Sequence, residues 1–226
     1  MTYPTWVAED VVPPRLSHRQ AALRVSVLLA AAGVVVGALW AWLVPPVQIV
    51  VALTRGGDRV RGYVGDESDH VFLGALLMTG FLFVVAVPAA VAVWQWRAHR
   101  GPVMVGALTV GLLAAAGLAA GVGTALSRWR YGVVDLAAAP VSPEHRVHYA
   151  YEAPAVFFGD TPWQIAASIV LPAGVAALLY AIGTLSVTRD DLGAWPPVGR
   201  PVYVVATDPA PTAAGDPAVD RSSPLH

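Results

Sequence analysis

The chain has 226 residues, of which 56% are hydrophobic and 13% are charged, and its formal net charge is -1. Soluble domains carry about 25% charged residues, so this composition is typical of a membrane protein. The chain contains no Cys, which excludes disulfides, thiolate catalysis and Cys-based metal sites. All of its basic side chains are Arg, which excludes Schiff-base and P-loop lysines, and the net charge argues against a nucleic-acid partner.

The N-terminal residues 1–20 precede the first long apolar run, and most of this segment lacks an apolar period. We expect it to be a disordered tail on the cytoplasmic side.

The first apolar run covers residues 22–44, and a transmembrane helix needs about 20 such residues. The run ends at Pro45 and Pro46, which do not continue a helix. Trp40 and Trp42 lie at that end, where interfacial aromatic residues are expected. Because the run exceeds the apolar core of a signal peptide, about 7–15 residues, we interpret it as a retained helix.

Residues 47–64 predict a β-hairpin, with strands at Val47–Leu53 and Arg59–Val64 and a turn at Gly56 and Gly57. Four ionisable residues follow, namely Asp66, Glu67, Asp69 and His70. They are compatible with a cation site, but a solvated collar is favoured, with Asp69 at the positive end of the next helix.

The second and third apolar runs cover residues 71–96 and 103–126. The connection at 97–102 is short enough to predict an antiparallel helical hairpin. Pro88 lies inside the second run and predicts a kink there.

The segment 127–162 contains a predicted strand, His145–Glu152, that places Val147, Tyr149 and Tyr151 on one face. The same segment holds a set of side chains of the kind that bind zinc: Glu144, His145, His148 and Glu152. On a strand the odd spacing directs the two His side chains to opposite faces, so a metal site is disfavoured. The sequence therefore assigns no catalytic, cofactor-binding or metal-ligating residue.

The fourth apolar run covers residues 163–187 and contains Pro172, which predicts a second kink. Residues 189–226 are rich in Pro, Ala and Asp, and we expect a second disordered cytoplasmic tail.

Small residues inside the runs predict close helix packing. Gly33 and Gly37 form one GxxxG step, and Gly117 and Gly121 form another. Chance spacing in a Gly-rich sequence is an alternative explanation. Packing within one chain is favoured over dimerisation.

Apart from Arg24, which we assign to the N-terminal flank, the four runs contain no Asp, Glu, Arg or His. Ion and proton pathways usually require ionisable groups in the membrane. Proton-coupled exporters and intramembrane proteases are therefore disfavoured.

The even number of spans places both termini on one side, together with the 97–102 turn. These three segments hold eight of the 14 Arg residues, so the positive-inside rule predicts that both termini are cytoplasmic. The loops 45–70 and 127–162 then lie outside and are predicted to form a small β-containing extracytoplasmic cap. The predicted fold class is an all-α membrane protein, with a four-helix transmembrane domain at residues 21–188.

Several local features carry a family resemblance: Pro45-Pro46, the acidic Asp66–Asp69 segment, the Trp94–Pro102 turn and Ala139-Pro140. Over about residues 20–190, the chain resembles a family of small actinobacterial membrane proteins of unknown function, found in mycobacteria and their relatives. The resemblance implies an inner-membrane location and no known activity or catalytic residue.

Three functions are compatible with these observations. The favoured one is a non-enzymatic accessory or scaffold protein of the cell envelope, whose partners are the lipid bilayer and another membrane protein or a second copy. The second is a small transporter, channel subunit or lipid carrier. The third is a membrane enzyme that acts through outer-loop residues, namely Asp135, Glu144, His148 and Asp160.

Overall fold

The computed structural model describes residues 3–5, 16–66, 68–187 and 202–204. It divides into a main unit, Pro14–Pro197, and a second unit formed by the two terminal segments. In the second unit, strand β1 (Tyr3–Thr5) pairs antiparallel with strand β5 (Val202–Val204). Both strands fall in tails for which the sequence predicts disorder. The remaining tail residues before 16 and after 187 lie outside the described residues.

The main unit contains four helices: α1 (His18–Leu43), α2 (Ser68–Gln95), α3 (Pro102–Tyr131) and α4 (Pro162–Leu185). Each is long and apolar enough to cross a membrane, which indicates a multi-pass membrane protein. Helices α2 and α4 continue through their internal proline residues.

Capping explains why two helices begin where they do. The Ser17 hydroxyl accepts a hydrogen bond from the Gln20 amide, and the Gln20 side chain accepts one from the Ser17 amide. This capping box starts α1 at His18, four residues before the predicted span. Arg24, which the sequence assigns to the N-terminal flank, therefore lies within the helix, and its side chain is exposed. Thr161 and Gln164 form the same motif at the start of α4.

Three antiparallel strands form a small sheet: β2 (Val47–Leu53), β3 (Arg59–Tyr63) and β4 (Val147–Glu152), in the order β3-β2-β4. The predicted hairpin is confirmed, with its turn at Gly57, which has a φ of 90°. Strand β4 begins two residues later than predicted, so His145 precedes the strand.

The sheet lies at one end of the helix bundle. Only three residues separate α1 from β2, and β3 leads directly to the start of α2. Strand β4 lies between the end of α3 and the start of α4. The sheet is therefore attached to the end where α1 and α3 finish and where α2 and α4 begin.

Helices α1 and α3 run parallel and approach at backbone distance through glycine. A Cβ atom on Gly33 would overlap the backbone of Ala115, and one on Gly37 would lie 2.5 Å from the Ala119 carbonyl oxygen. Gly123 lies against the Trp40 ring. The Gly33/Gly37 step is thus a packing surface within the chain, as the sequence predicts. Gly117 and Gly121 have no neighbour within 4 Å of a built Cβ atom among the described residues.

The Trp40 side chain corrects one expectation from the sequence. Instead of lying at the membrane interface, Trp40 is fully buried, and its Nε1–H donates a hydrogen bond to the Gly74 carbonyl of α2 at 2.7 Å. It is buried because Gly123 leaves room for the ring. Trp42, two residues later, is exposed as expected of an interfacial residue.

Helices α2 and α4 meet at the opposite end of the bundle, beside the short turn at 97–101. The Trp94 and Tyr180 rings contact edge to face at 5.1 Å, and the Tyr180 hydroxyl accepts a hydrogen bond from the Gly101 amide. The Arg100 guanidinium stacks on Trp94 at 4.1 Å. These contacts fix the predicted helical hairpin of α2 and α3 to α4.

The two glycine steps give a matched test of this packing. We expect Gly33→Ala to lower the free energy of unfolding by about 1–3 kcal/mol, because the new methyl group forces α1 and α3 apart. Gly117→Ala is the control and should change it by no more than about 0.5 kcal/mol, since its site is open. Unfolding in mixed micelles measures both, and equal effects would contradict the α1–α3 contact.

Candidate functional site

A cavity of about 700 Å³ lies where the sheet meets the helix ends, and we call it the junction cavity. Its walls come from β2, β3, β4, the starts of α2 and α4, the end of α3 and the segment 153–160. Cavities of this size hold small molecules in many proteins.

The last turns of α3 supply one wall through Thr124, Ser127 and Arg128. These positions are three and four residues apart, so they share one helix face. Ser127 is buried, and its hydroxyl donates a hydrogen bond to the Thr124 carbonyl. Arg128 is exposed and belongs to the last turn of the helix, where a cation is favoured.

An ion pair closes the sheet side of the cavity. The Arg61 Nη2 atom on β3 lies 2.7 Å from the Glu152 Oε2 atom on β4. Glu152 is buried, whereas the Arg61 side chain is 40% exposed. A buried carboxylate requires a compensating cation, and Arg61 supplies it. The pair therefore joins β3 and β4 across β2.

The segment between β4 and α4 forms the floor of the cavity. A Cβ atom built on Gly74 would lie 2.9 Å from the Ala155 carbonyl oxygen, so the segment rests directly on the α2 backbone. Val156 is buried in an apolar cluster that includes Met78 and Leu82 of α2. Phe157 packs against the same cluster. Beneath these two side chains, a crevice between α2, α3 and α4 holds only about 10 Å³.

Two charged side chains on the cavity wall have no polar partner within the described part of the chain. The side chains of Arg128 and Asp160 form neither a hydrogen bond nor an ion pair with the described residues. Arg61 and Glu152 compensate each other, so one cation and one anion of the described cavity wall are left without a polar side-chain partner among the described residues.

Exposed aromatic residues surround this end of the bundle. Trp129 is 85% exposed and Trp163 is 80% exposed, on α3 and α4 respectively. Phe72 at the start of α2 contacts Phe158 at 5.5 Å, and both are exposed. Tryptophan prefers the boundary between hydrocarbon and headgroups, so exposed tryptophans at this end of the helices are typical of a membrane interface.

The opposite face of the sheet is mostly apolar, and no other described part of the chain is seen to pack on it. We call it the tyrosine face, and it consists of Gln48, Val50, Ala52, Val60, Gly62, Val147, Tyr149 and Tyr151. Tyr149 and Tyr151 are 60% and 59% exposed. None of these eight positions carries Asp, Glu, Arg or His. The inner face of the sheet is covered, in contrast, where Ala139 and Val141 pack on Val51.

Of the four loop residues that the sequence offers for catalysis, three lie outside the lining of the junction cavity. The Asp135 carboxylate accepts a hydrogen bond from the Ala137 amide, and the Glu144 carboxylate accepts one from the Ser142 hydroxyl. His148 lies on the inner face of the sheet, opposite Val51. Asp160 alone among them lines the junction cavity.

Metal-ligating residues are not gathered into one cluster. Within residues 16–66 and 68–187, no group of three or more His, Asp or Glu side chains has the geometry to hold a metal ion. Glu152, from the candidate zinc set, pairs with Arg61 instead. In the collar, Asp69 lies in the first turn of α2 as expected, and Glu67 lies outside the described residues.

Sequence patterns do not predict that Arg61 pairs with Glu152 or that Val156 and Phe157 insert among the helices. The alternation of β4 does carry one signal for the position of Glu152. It places Glu152 on the face opposite the tyrosines, and therefore on the covered side.

The chain is similar to proteins whose function is also unknown. A family model described as "Protein of unknown function (DUF2567)" matches residues 29–194. An uncharacterized protein of Mycobacterium tuberculosis is 48% identical over 171 residues, which cover 75% of this chain and 89% of the relative. One of Mycobacterium leprae is 48% identical over 165 residues, covering 73% and 83%. No solved structure matches the chain.

The ion pair predicts a measurable coupling between β3 and β4. We expect Arg61→Gln to lower the free energy of unfolding by about 1–2 kcal/mol, because the buried Glu152 carboxylate loses its partner. Adding Glu152→Gln should restore part of that loss. Arg59→Gln, an exposed position on the same strand, is the control and should be nearly neutral. Additive effects of Arg61→Gln and Glu152→Gln on the free energy of unfolding would contradict the pairing.

Proposed function

The chain belongs to the family of proteins of unknown function whose model matches residues 29–194. We propose that it is a non-enzymatic accessory protein of the bacterial plasma membrane. In this proposal, four helices anchor the chain and both termini lie in the cytoplasm. The sheet lies on the extracytoplasmic side, and its tyrosine face binds the extracytoplasmic part of another membrane protein.

The tyrosine face is the observation that carries the proposal. A sheet face in contact with water is normally polar, whereas this one presents Val60, Val147, Tyr149 and Tyr151 without a charged residue. Tyrosine is enriched in protein interfaces because it has a large apolar ring and a polar end. An apolar partner surface would cover this face without leaving a charge unpaired.

The short link between α1 and β2 supports a partner that is itself in the membrane. Three residues separate the end of α1 from the start of β2, and a seven-residue strand is about 23 Å long. The tyrosine face thus stays within about that distance of the bilayer surface. A second membrane protein reaches such a surface at high local concentration, because both are confined to one plane.

The positions of the candidate catalytic residues support a non-enzymatic role, because only Asp160 lines the junction cavity. Nucleophilic catalysis usually needs a nucleophile and a base within hydrogen-bonding reach of each other, and a general base must reach the proton that it removes. The Asp135 and Glu144 carboxylates instead accept hydrogen bonds from residues two positions away in sequence. His148 lies on the inner face of the sheet. The arrangement therefore favours binding over catalysis.

The proposed topology has a direct test, because the natural chain has no Cys. Gly57→Cys lies in the β2–β3 turn, and Ala98→Cys lies in the turn between α2 and α3. In intact cells, a membrane-impermeant thiol reagent should label Gly57→Cys and spare Ala98→Cys. Ala98→Cys should react only after the membrane is opened. The reverse pattern would contradict cytoplasmic termini.

The partner surface is tested by photocrosslinking in native membranes. A benzoylphenylalanine placed at Tyr149 should give a discrete adduct with one membrane protein, identified by mass spectrometry. The same probe at Tyr63, an exposed tyrosine on the other face of the sheet, is the matched control and should not capture that protein.

A second variant makes the crosslinking result decisive. Tyr151→Ser should reduce the yield of the same adduct when the probe is at Tyr149, since it removes apolar contact area next to the probe. Adducts with lipid alone, with a second copy of this chain, or with equal yield at Tyr63 would each contradict the proposed partner.

A further inference from the structure

We propose that the junction cavity binds the headgroup of a zwitterionic phospholipid, with its phosphate on Arg128 and its ammonium group on Asp160. This inference is independent of the tyrosine face, because the two surfaces lie on opposite faces of the sheet.

The charges on the cavity wall match such a headgroup. Arg128 offers a cation and Asp160 an anion, and neither has a polar partner among the described residues. An Arg guanidinium binds phosphate through paired hydrogen bonds, and a carboxylate accepts hydrogen bonds from an ammonium group. Glu152 does not compete for the ammonium group, because Arg61 already compensates it at 2.7 Å.

The position of the cavity matches a lipid rather than a soluble compound. Trp129 follows Arg128 directly, and Trp163 comes three residues after Asp160; both rings are almost fully exposed, as expected at the headgroup level. The cavity wall also contains apolar side chains at the starts of α2 and α4, namely Val71 and Ile165. A glycerol backbone beside these residues would leave its acyl chains in the surrounding bilayer.

The floor of the cavity leaves little space on the side of the bundle. Below Val156 and Phe157, the crevice between α2, α3 and α4 has about 10 Å³, which is on the order of one water molecule. An acyl chain does not fit into this crevice while Val156 and Phe157 are in place. The geometry favours a fixed headgroup site over a transport pathway.

Native mass spectrometry of the purified full-length protein tests the proposal. The protein is titrated with short-chain phosphatidylethanolamine and, separately, with phosphatidylglycerol, which has the phosphate but no ammonium group. The wild-type chain should prefer phosphatidylethanolamine. Arg128→Gln should weaken binding of both lipids by about tenfold, because it removes the phosphate contact. Asp160→Asn should weaken only phosphatidylethanolamine and so remove the preference.

Matched variants control for folding and net charge. Arg55→Gln and Asp66→Asn make the same charge changes outside the cavity and should bind as the wild-type chain does. Arg128→Lys retains the charge and should keep most of the binding, which separates loss of the contact from loss of the fold. Free phosphoethanolamine distinguishes a lipid from a soluble phosphate compound, and it should not displace the lipid at equal concentration.

Three results would overturn the proposal. One is wild-type lipid affinity in Arg128→Gln. Another is an unchanged preference between the two lipids in Asp160→Asn. The third is binding of free phosphoethanolamine as tight as that of the lipid, which would exclude the bilayer as the source of the ligand.

Discussion

The backbone contact between α1 and α3 is the constraint on which the remaining architecture depends. In a bilayer, the hydrophobic effect does not drive helices together, so close packing and hydrogen bonds must do so. Gly33 and Gly37 allow the α1 backbone to lie against Ala115 and Ala119. The Ser26 hydroxyl adds a hydrogen bond to the Ala107 carbonyl. Because the two helices run parallel, their C-terminal ends emerge side by side.

That juxtaposition determines where the sheet forms. The Tyr131 hydroxyl at the end of α3 donates a hydrogen bond to the Val44 carbonyl, just after α1. The Arg130 guanidinium donates another to the Trp42 carbonyl. The loops that follow α1 and α3 therefore start from one point and can pair as β2 and β4. The junction cavity is the space left between that sheet and the helix ends, and the tyrosine face is the side of the sheet that points away from it.

The sequence predicts the local parts of this structure well, for physical reasons. Long apolar runs and a Gly-Gly turn between β-prone segments depend on neighbours in sequence, and the four helices and the β2–β3 hairpin follow from them. The two GxxxG steps look alike in sequence, yet only Gly33 and Gly37 meet another helix. Which face of a helix is covered depends on its partner, and a pattern within one helix does not contain that information. The burial of Trp40 and the Arg61–Glu152 pair are non-local in the same sense.

The pairing of β2 with β4 has a consequence for biosynthesis. Two complete helices, α2 and α3, separate these strands in sequence, so β2 leaves the ribosome long before its second neighbour. Until then the β2–β3 hairpin has an open edge, which is the kind of surface on which other chains add strands. Strand β4 closes that edge, and both the junction cavity and the tyrosine face exist only after it has paired. Assembly of the three-stranded sheet is therefore a late event, which follows the synthesis of the first three helices.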